Sequence, residues 1–261
     1  MDKGITFFFG FEGDYKKRAQ KIKDAGFTSV MTIADPKFDY QSGTIAQQTK
    51  TFKNVGLKPT SLHMQYNNKD LPYFFKIGKI GDRLEKTLIK DVKTAHKYGF
   101  KCVVVHLKGV VSEVGINRLN NILKVCEKLN VPLAIENIDK NNCFEYVLNN
   151  IKSPYIKFCF DVGHFHCFTP NENYLQRFGD KLICVHLHDN MGNADTHTLN
   201  RFGNTNWEEI AKQLAKCPTV SLDYELLFKD ETDLTMDQAL AECVKQANEL
   251  ENLILKYKNK K

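Results

Sequence analysis

The stretch C-V-H-L-H-D-N at residues 184–190 follows an apolar run and sets His186 and His188 with one residue between them, Asp189 directly after. A neutral imidazole is a metal ligand and a proton carrier near pH 7. A single histidine on an apolar strand is ordinarily a hydrogen-bonded core or rim residue, so the H-x-H spacing alone defines no centre. Comparable residues, however, end several other apolar runs. His63 closes P-T-S-L-H-M, His106 stands in C-V-V-V-H-L, Glu136 in P-L-A-I-E-N, Asp161 in K-F-C-F-D-V with His164 just beyond, and Glu225 in V-S-L-D-Y-E-L, while D-T-H supplies Asp195 and His197. Carboxylates gathered in one cleft repel one another and rise in pKa unless a cation compensates. Imidazole and carboxylate without thiolate suit zinc, manganese or cobalt.

The elements that must position these residues can be read from period. Short runs rich in Val, Ile and Phe (5–9, 29–33, 59–64, 102–107, 132–137, 157–162, 182–187 and 220–226) alternate with amphipathic, lysine-rich segments. That alternation is the mark of β/α units. Asp14 is placed to cap a first helix ended by Gly26, Gly99 to end another, Asn206 to cap a helix starting at Trp207, and Met236–Tyr257 reads as a closing amphipathic helix. Eight strands with helices between predict a single (β/α)8 TIM barrel domain over 1–261. An open doubly wound sheet would bring a G-x-G-x-x-G turn, which G-F-E-G-D-Y is not. In a barrel the chemistry sits at the C-terminal strand ends, where these residues fall. Residues two apart share a strand face, so Ala134 lies below Glu136, Cys159 below Asp161 and Cys184 below His186. His188 is then one step further out, at the rim.

The chain has 261 residues and a formal charge of +6, from 37 Lys+Arg against 31 Asp+Glu. Much of the excess is spread along helical faces, and no compact basic stripe with interleaved aromatics is present, which weighs against nucleic acid as a partner. The N-terminal apolar run is far shorter than a membrane span and is followed at once by Glu12 and Asp14, so neither leader nor anchor is expected. Eight cysteines without a C-x-x-C pair read as free thiols of a cytoplasmic protein.

On I-E-N (135–137), F-D-V-G-H (160–164), H-L-H-D-N (186–190), D-T-H-T-L-N-R-F-G-N-T-N-W (195–207) and Y-E-L (224–226), the chain resembles the xylose-isomerase-like TIM barrel superfamily of sugar isomerases, epimerases and endonuclease IV-like nucleases. In the isomerases and epimerases the resemblance implies one divalent ion on Glu136, Asp161, His186 and Glu225. The two glutamates would then move a proton next to a carbonyl through a metal-stabilised enediolate. In endonuclease IV it implies up to three zinc ions, adding His63, His106, His164, Asp195 and His197, with Tyr66 where an intercalating tyrosine falls. Departures from that group, such as H106-L-K-G where it has H-P-G and E136-N-I-D where it has E-N-x-A-G, weigh against DNA docking.

Three functions follow. The preferred one is a divalent-metal isomerase or epimerase of a small sugar or sugar phosphate. An abasic-site endonuclease or phosphoesterase with a multi-zinc site comes second, and a non-catalytic ligand-binding barrel third. Substrate identity and homo-oligomerisation are left open by the sequence.

Overall fold

The eight apolar runs become eight parallel strands: β1 Lys3–Thr6, β2 Ser29–Ala34, β3 Lys58–Met64, β4 Cys102–Val105, β5 Leu133–Glu136, β6 Ile156–Asp161, β7 Leu182–Leu187 and β8 Ser221–Tyr224. A computed structural model describes residues 1–65, 67–140, 143–228 and 233–259, residue 201 in its backbone only. Each strand pairs with the next and β8 returns to β1, closing the barrel in sequence order. Such a sheet has no edge and is buried on both faces, which is why its strands are near-continuous apolar runs.

Helices follow every strand and cover the outside, among them Tyr15–Asp24, Ile45–Val55, Lys79–Tyr98, Glu113–Leu129, Trp207–Leu214 and Met236–Lys258. Their ends obey local chemistry. Asp14 accepts the Lys16 and Lys17 backbone N–H groups, Asn206 accepts that of Glu209, and Gly99 ends its helix at φ 76°. The first strand lies earlier than the run 5–9 suggests. Phe7 and Phe9 are buried beyond its end, and Phe7 N–H still reaches the Met31 carbonyl at 2.9 Å.

Two details of the barrel set the site. Between Val30 and Thr32 of β2, β3 spends an extra residue, from Pro59 to Leu62. That bulge lets Thr60, bonded to Asp223, and His63, bonded to Glu136, both face inward although they stand three positions apart, an odd spacing. On β1, Gly4 leaves room for the buried Asp223, since a Cβ there would stand 2.0 Å from its Oδ1. No described helix is long and apolar enough to cross a membrane.

Candidate metal centre

The strand ends and the loops after them bring ten imidazole and carboxylate residues into one mouth. Glu136, at the end of β5, is fully buried, and its Oε2 lies 3.2 Å from His63 Nε2 and 3.0 Å from His106 Nε2. Its Oε1 faces His186 Nδ1 at 3.4 Å and His164 Nδ1 at 3.3 Å. Glu225, one residue past β8, puts Oε2 2.8 Å from the same His186 Nδ1. His63, Glu136, His186 and Glu225 therefore offer ligand atoms within 4.8 Å of one another. Asp161 joins a neighbouring group with Glu136 and His164, its Oδ2 4.0 Å from His186 Nδ1. The four residues read as one ligand set thus divide between two adjoining groups that share Glu136.

A third group lies further out, where His164, His188, Asp195 and His197 converge. Asp195 Oδ2 is 3.2 Å from both His164 Nε2 and His197 Nε2. His188 is fully buried rather than exposed at a rim: its Nε2 reaches Asp161 Oδ1 at 3.1 Å, and its ring stacks on His197 at 3.9 Å and 11°. Gly163 makes that burial possible, because a Cβ there would stand 2.0 Å from the His188 ring. His197 adopts φ 51°, a left-handed conformation that costs a non-glycine residue on the order of 1 kcal/mol. It is held there by its own Nδ1–H bond to the Glu225 carbonyl at 2.9 Å. Tyr66 lies outside the described residues.

Tautomers show what the centre demands. Three rings point Nδ1 at a carbonyl, which can only accept: His63 at Met64, His164 at Asn137 and His197 at Glu225. Each Nδ1 must carry the proton, so each neutral ring aims an Nε2 lone pair at a carboxylate 3.2 Å away. Two electron-rich atoms at that distance need a proton or a cation between them. Burial would depress the His186 imidazole, but Glu136 and Glu225 outweigh it and hold it well above its ordinary value. The same contest raises His164 through Asp161 and His197, through Asp195, to about 9. Burial would raise the Glu136 carboxyl, yet His106 and His186 hold it well below the usual range. Among the described residues, Glu136 Oε1, Glu225 Oε2 and both His186 nitrogens are buried and, for all their close approaches, make no aligned hydrogen bond. Orphaned donor atoms of this kind, on ligands this hard, fit a divalent cation.

Residues that carry no ligand chemistry of their own align the ligands. Asn137 donates Nδ2–H to the Asp161 carbonyl at 2.8 Å and accepts the Asp161 N–H at 2.9 Å, locking β5 to β6 at the site. Asn190 reaches the Gly163 carbonyl at 2.9 Å. Asp223, below Glu225, is held by Ser221 and Thr60 and pushed by burial up to about 6. In the sequence Asn137 directly follows Glu136, Asn190 follows His188 by two residues and Asp223 precedes Glu225 by two. A cleft of about 510 Å3, lined by Asp139, Lys140, Cys167 and Phe168, opens between the segments after β5 and β6.

A closed parallel barrel whose strand ends gather imidazoles and carboxylates defines the class. The chain belongs to the xylose isomerase-like TIM barrel family, whose sequence model matches residues 19–225. Among curated proteins it is 34% identical over 97 residues to the uncharacterized protein y4fM of Sinorhizobium fredii, covering 34% of this chain and 31% of the relative. It is 27% identical over 166 residues to the uncharacterized protein MJ1614 of Methanocaldococcus jannaschii, covering 60% and 64%. The chain thus spans less than two thirds of the length of these relatives. Similar solved structures include a D-tagatose 3-epimerase-like protein (TM-score 0.77, 17% identity, 100% of this chain and 99% of that one). Others are D-psicose 3-epimerase of Clostridium cellulolyticum H10 (0.75, 15%, 97% and 99%) and the 3-keto-D-glucoside 4-epimerase of E. coli (0.70, 15%, 97% and 99%). The structural neighbours named here are sugar epimerases or epimerase-like; at these identities the likeness is one of fold.

Proposed function

We propose that the protein is a divalent-metal-dependent isomerase or epimerase of a small sugar or sugar phosphate, a single barrel domain with Glu136 and Glu225 as its proton-transfer groups. The observation that carries this reading is the placement of the two carboxylates on one imidazole, at 3.4 and 2.8 Å from His186 Nδ1. They come from β5 and from the residue after β8, so they approach the mouth from different sides of the barrel. One is placed to take a proton from a carbon next to a carbonyl and the other to return it. Glu136, Asp161, His186 and Glu225 would hold the metal, and a divalent ion supplies polarisation of the carbonyl. Zinc, manganese and cobalt match the donor set. Glu136 is fully buried and Glu225 mostly so, each flanked by imidazoles that limit water's access to the proton, and the epimerase-like neighbours share this fold.

The test is solvent-deuterium incorporation across a panel of ketoses and ketose phosphates. Glu136→Gln and Glu225→Gln should each abolish exchange while leaving the fold intact; full exchange in both variants sinks the reading.

A second reading, a phosphodiester hydrolase with a multi-zinc site, draws on the joint approach of His63 and His106 to one oxygen of Glu136 and on the outer group around Asp195. Metal analysis of the carboxylate centre decides between them: one ion there with no nicking of an abasic duplex rejects the hydrolase, and three ions there with nicking reject the isomerase.

A further inference from the structure

One layer below the carboxylates the barrel interior is lined with thiols. Cys102, Cys159 and Cys184, on β4, β6 and β7, are buried together with Val104 and Ala134. Interior layers of such barrels are ordinarily filled by bulky branched side chains; here three of the eight cysteines of the chain share one layer. Cys102, Cys159 and Cys184 pack in one buried cluster, and burial pushes the Cys159 thiol well up. The sulfurs of Cys159 and Cys184 and a nitrogen of His186 lie within 4.8 Å of one another. His186 Nδ1 faces Glu225, and its Nε2, buried, has no hydrogen-bond partner among the described residues. A ring nitrogen left unpaired inside a protein is costly and calls for an explanation.

Charge balance narrows the ligand. Two thiolates and one imidazole nitrogen around a divalent ion come close to cancelling its charge, as a fully enclosed site requires. Thiolates select soft or borderline ions, in contrast to the harder carboxylate set above. We propose that Cys159, Cys184 and His186 Nε2 form a second, soft-metal site beneath the carboxylate centre, taking a zinc-like divalent cation. Binding displaces one proton from each of the two thiols, as coordination of a thiol requires, and, with the upper ion on Nδ1, the ring proton of His186 as well, so that its imidazolate bridges the two ions. A purely space-filling role for the three thiols, as small apolar side chains, is the competing account.

Cadmium is the probe. The full chain is refolded with one equivalent of cadmium and excess manganese, and cadmium-edge X-ray absorption counts its neighbours. At least two sulfurs per cadmium, with a sulfur-to-cadmium charge-transfer band in the ultraviolet, are expected. A shell of oxygen and nitrogen alone in the unaltered chain overturns the site without any variant having to fold. Cys159→Ala and Cys184→Ala should each lose the band, and Cys126→Ala, a buried thiol outside this layer, should keep it. Two sulfurs persisting in the Cys159→Ala/Cys184→Ala double variant would also overturn it. The result is independent of proton exchange by Glu136 and Glu225, so this site and the sugar chemistry fail separately.

Discussion

Trp207 Nε1 donates a 2.6 Å hydrogen bond to Asp189 Oδ2, tying the start of the helix Trp207–Leu214 to the end of β7. The other oxygen of Asp189 accepts Thr205 N–H and O–H and the Asn190 N–H, and its backbone pairs with Thr198 in both directions. Gly203 comes so close that a Cβ would stand 2.1 Å from Asp189 Oδ1. The loop that carries Asp195 and His197 is thus wound around one buried carboxylate. Trp207→Phe should keep the packing but lose a bond to a charged acceptor, costing about 1.5–3 kcal/mol. Urea denaturation measures it; an unchanged midpoint would show that Asp189 does not hold the loop.

Gly163→Ala places a methyl 2.0 Å from the His188 ring, which is pinned between Asp161 and the stacked His197. Overpacking of this kind costs roughly 1–3 kcal/mol. Thermal unfolding of the variant should show that loss, together with weaker retention of metal after dialysis. Wild-type values for both would mean that the ring moves freely.

Asp91, on the inner face of the helix Lys79–Tyr98, is buried with its Oδ2 unpaired among the described residues, and burial pushes its carboxyl up to about 7. The folded state then holds a proton that the unfolded chain releases near pH 4, so stability falls as pH rises from about 4 to about 7. Asp91→Asn should remove that loss, gaining on the order of 1 kcal/mol at pH 8 and little at pH 4. Denaturation midpoints of both proteins at the two pH values check the sign; a variant less stable at pH 8 refutes it.

Removal of divalent ions should lower the unfolding temperature, because the clustered carboxylates and lone pairs lose their counter-charge. Zinc, manganese or cobalt at a hundredfold excess over its dissociation constant should restore about 2.7 kcal/mol. Glu136→Gln should lose this increment. A midpoint indifferent to chelator in the wild-type chain argues against a bound cation.

Much of this protein is legible in the sequence. The alternation of β-branched runs with amphipathic segments set the barrel, and period two placed Glu136, Asp161 and His186 on one strand face. Strand boundaries were less legible at β1, where Phe7, Phe8 and Phe9 prolong the apolar run past Thr6 and Phe7 and Phe9 are buried beyond the strand's end. Face and order are local properties, carried by each strand alone. Distance is not: it depends on shear, bulges and loops packed from far along the chain. Only the closed barrel brings Glu225 to His186, only the β3 bulge turns His63 onto Glu136, and only the space left by Gly163 draws His188 inward onto Asp161. The sequence by itself determined which side chains reach the mouth, because alternation needs no partner. The tertiary structure decided which atoms meet, because those distances exist only once the sheet has closed and the loop has folded back around Asp189.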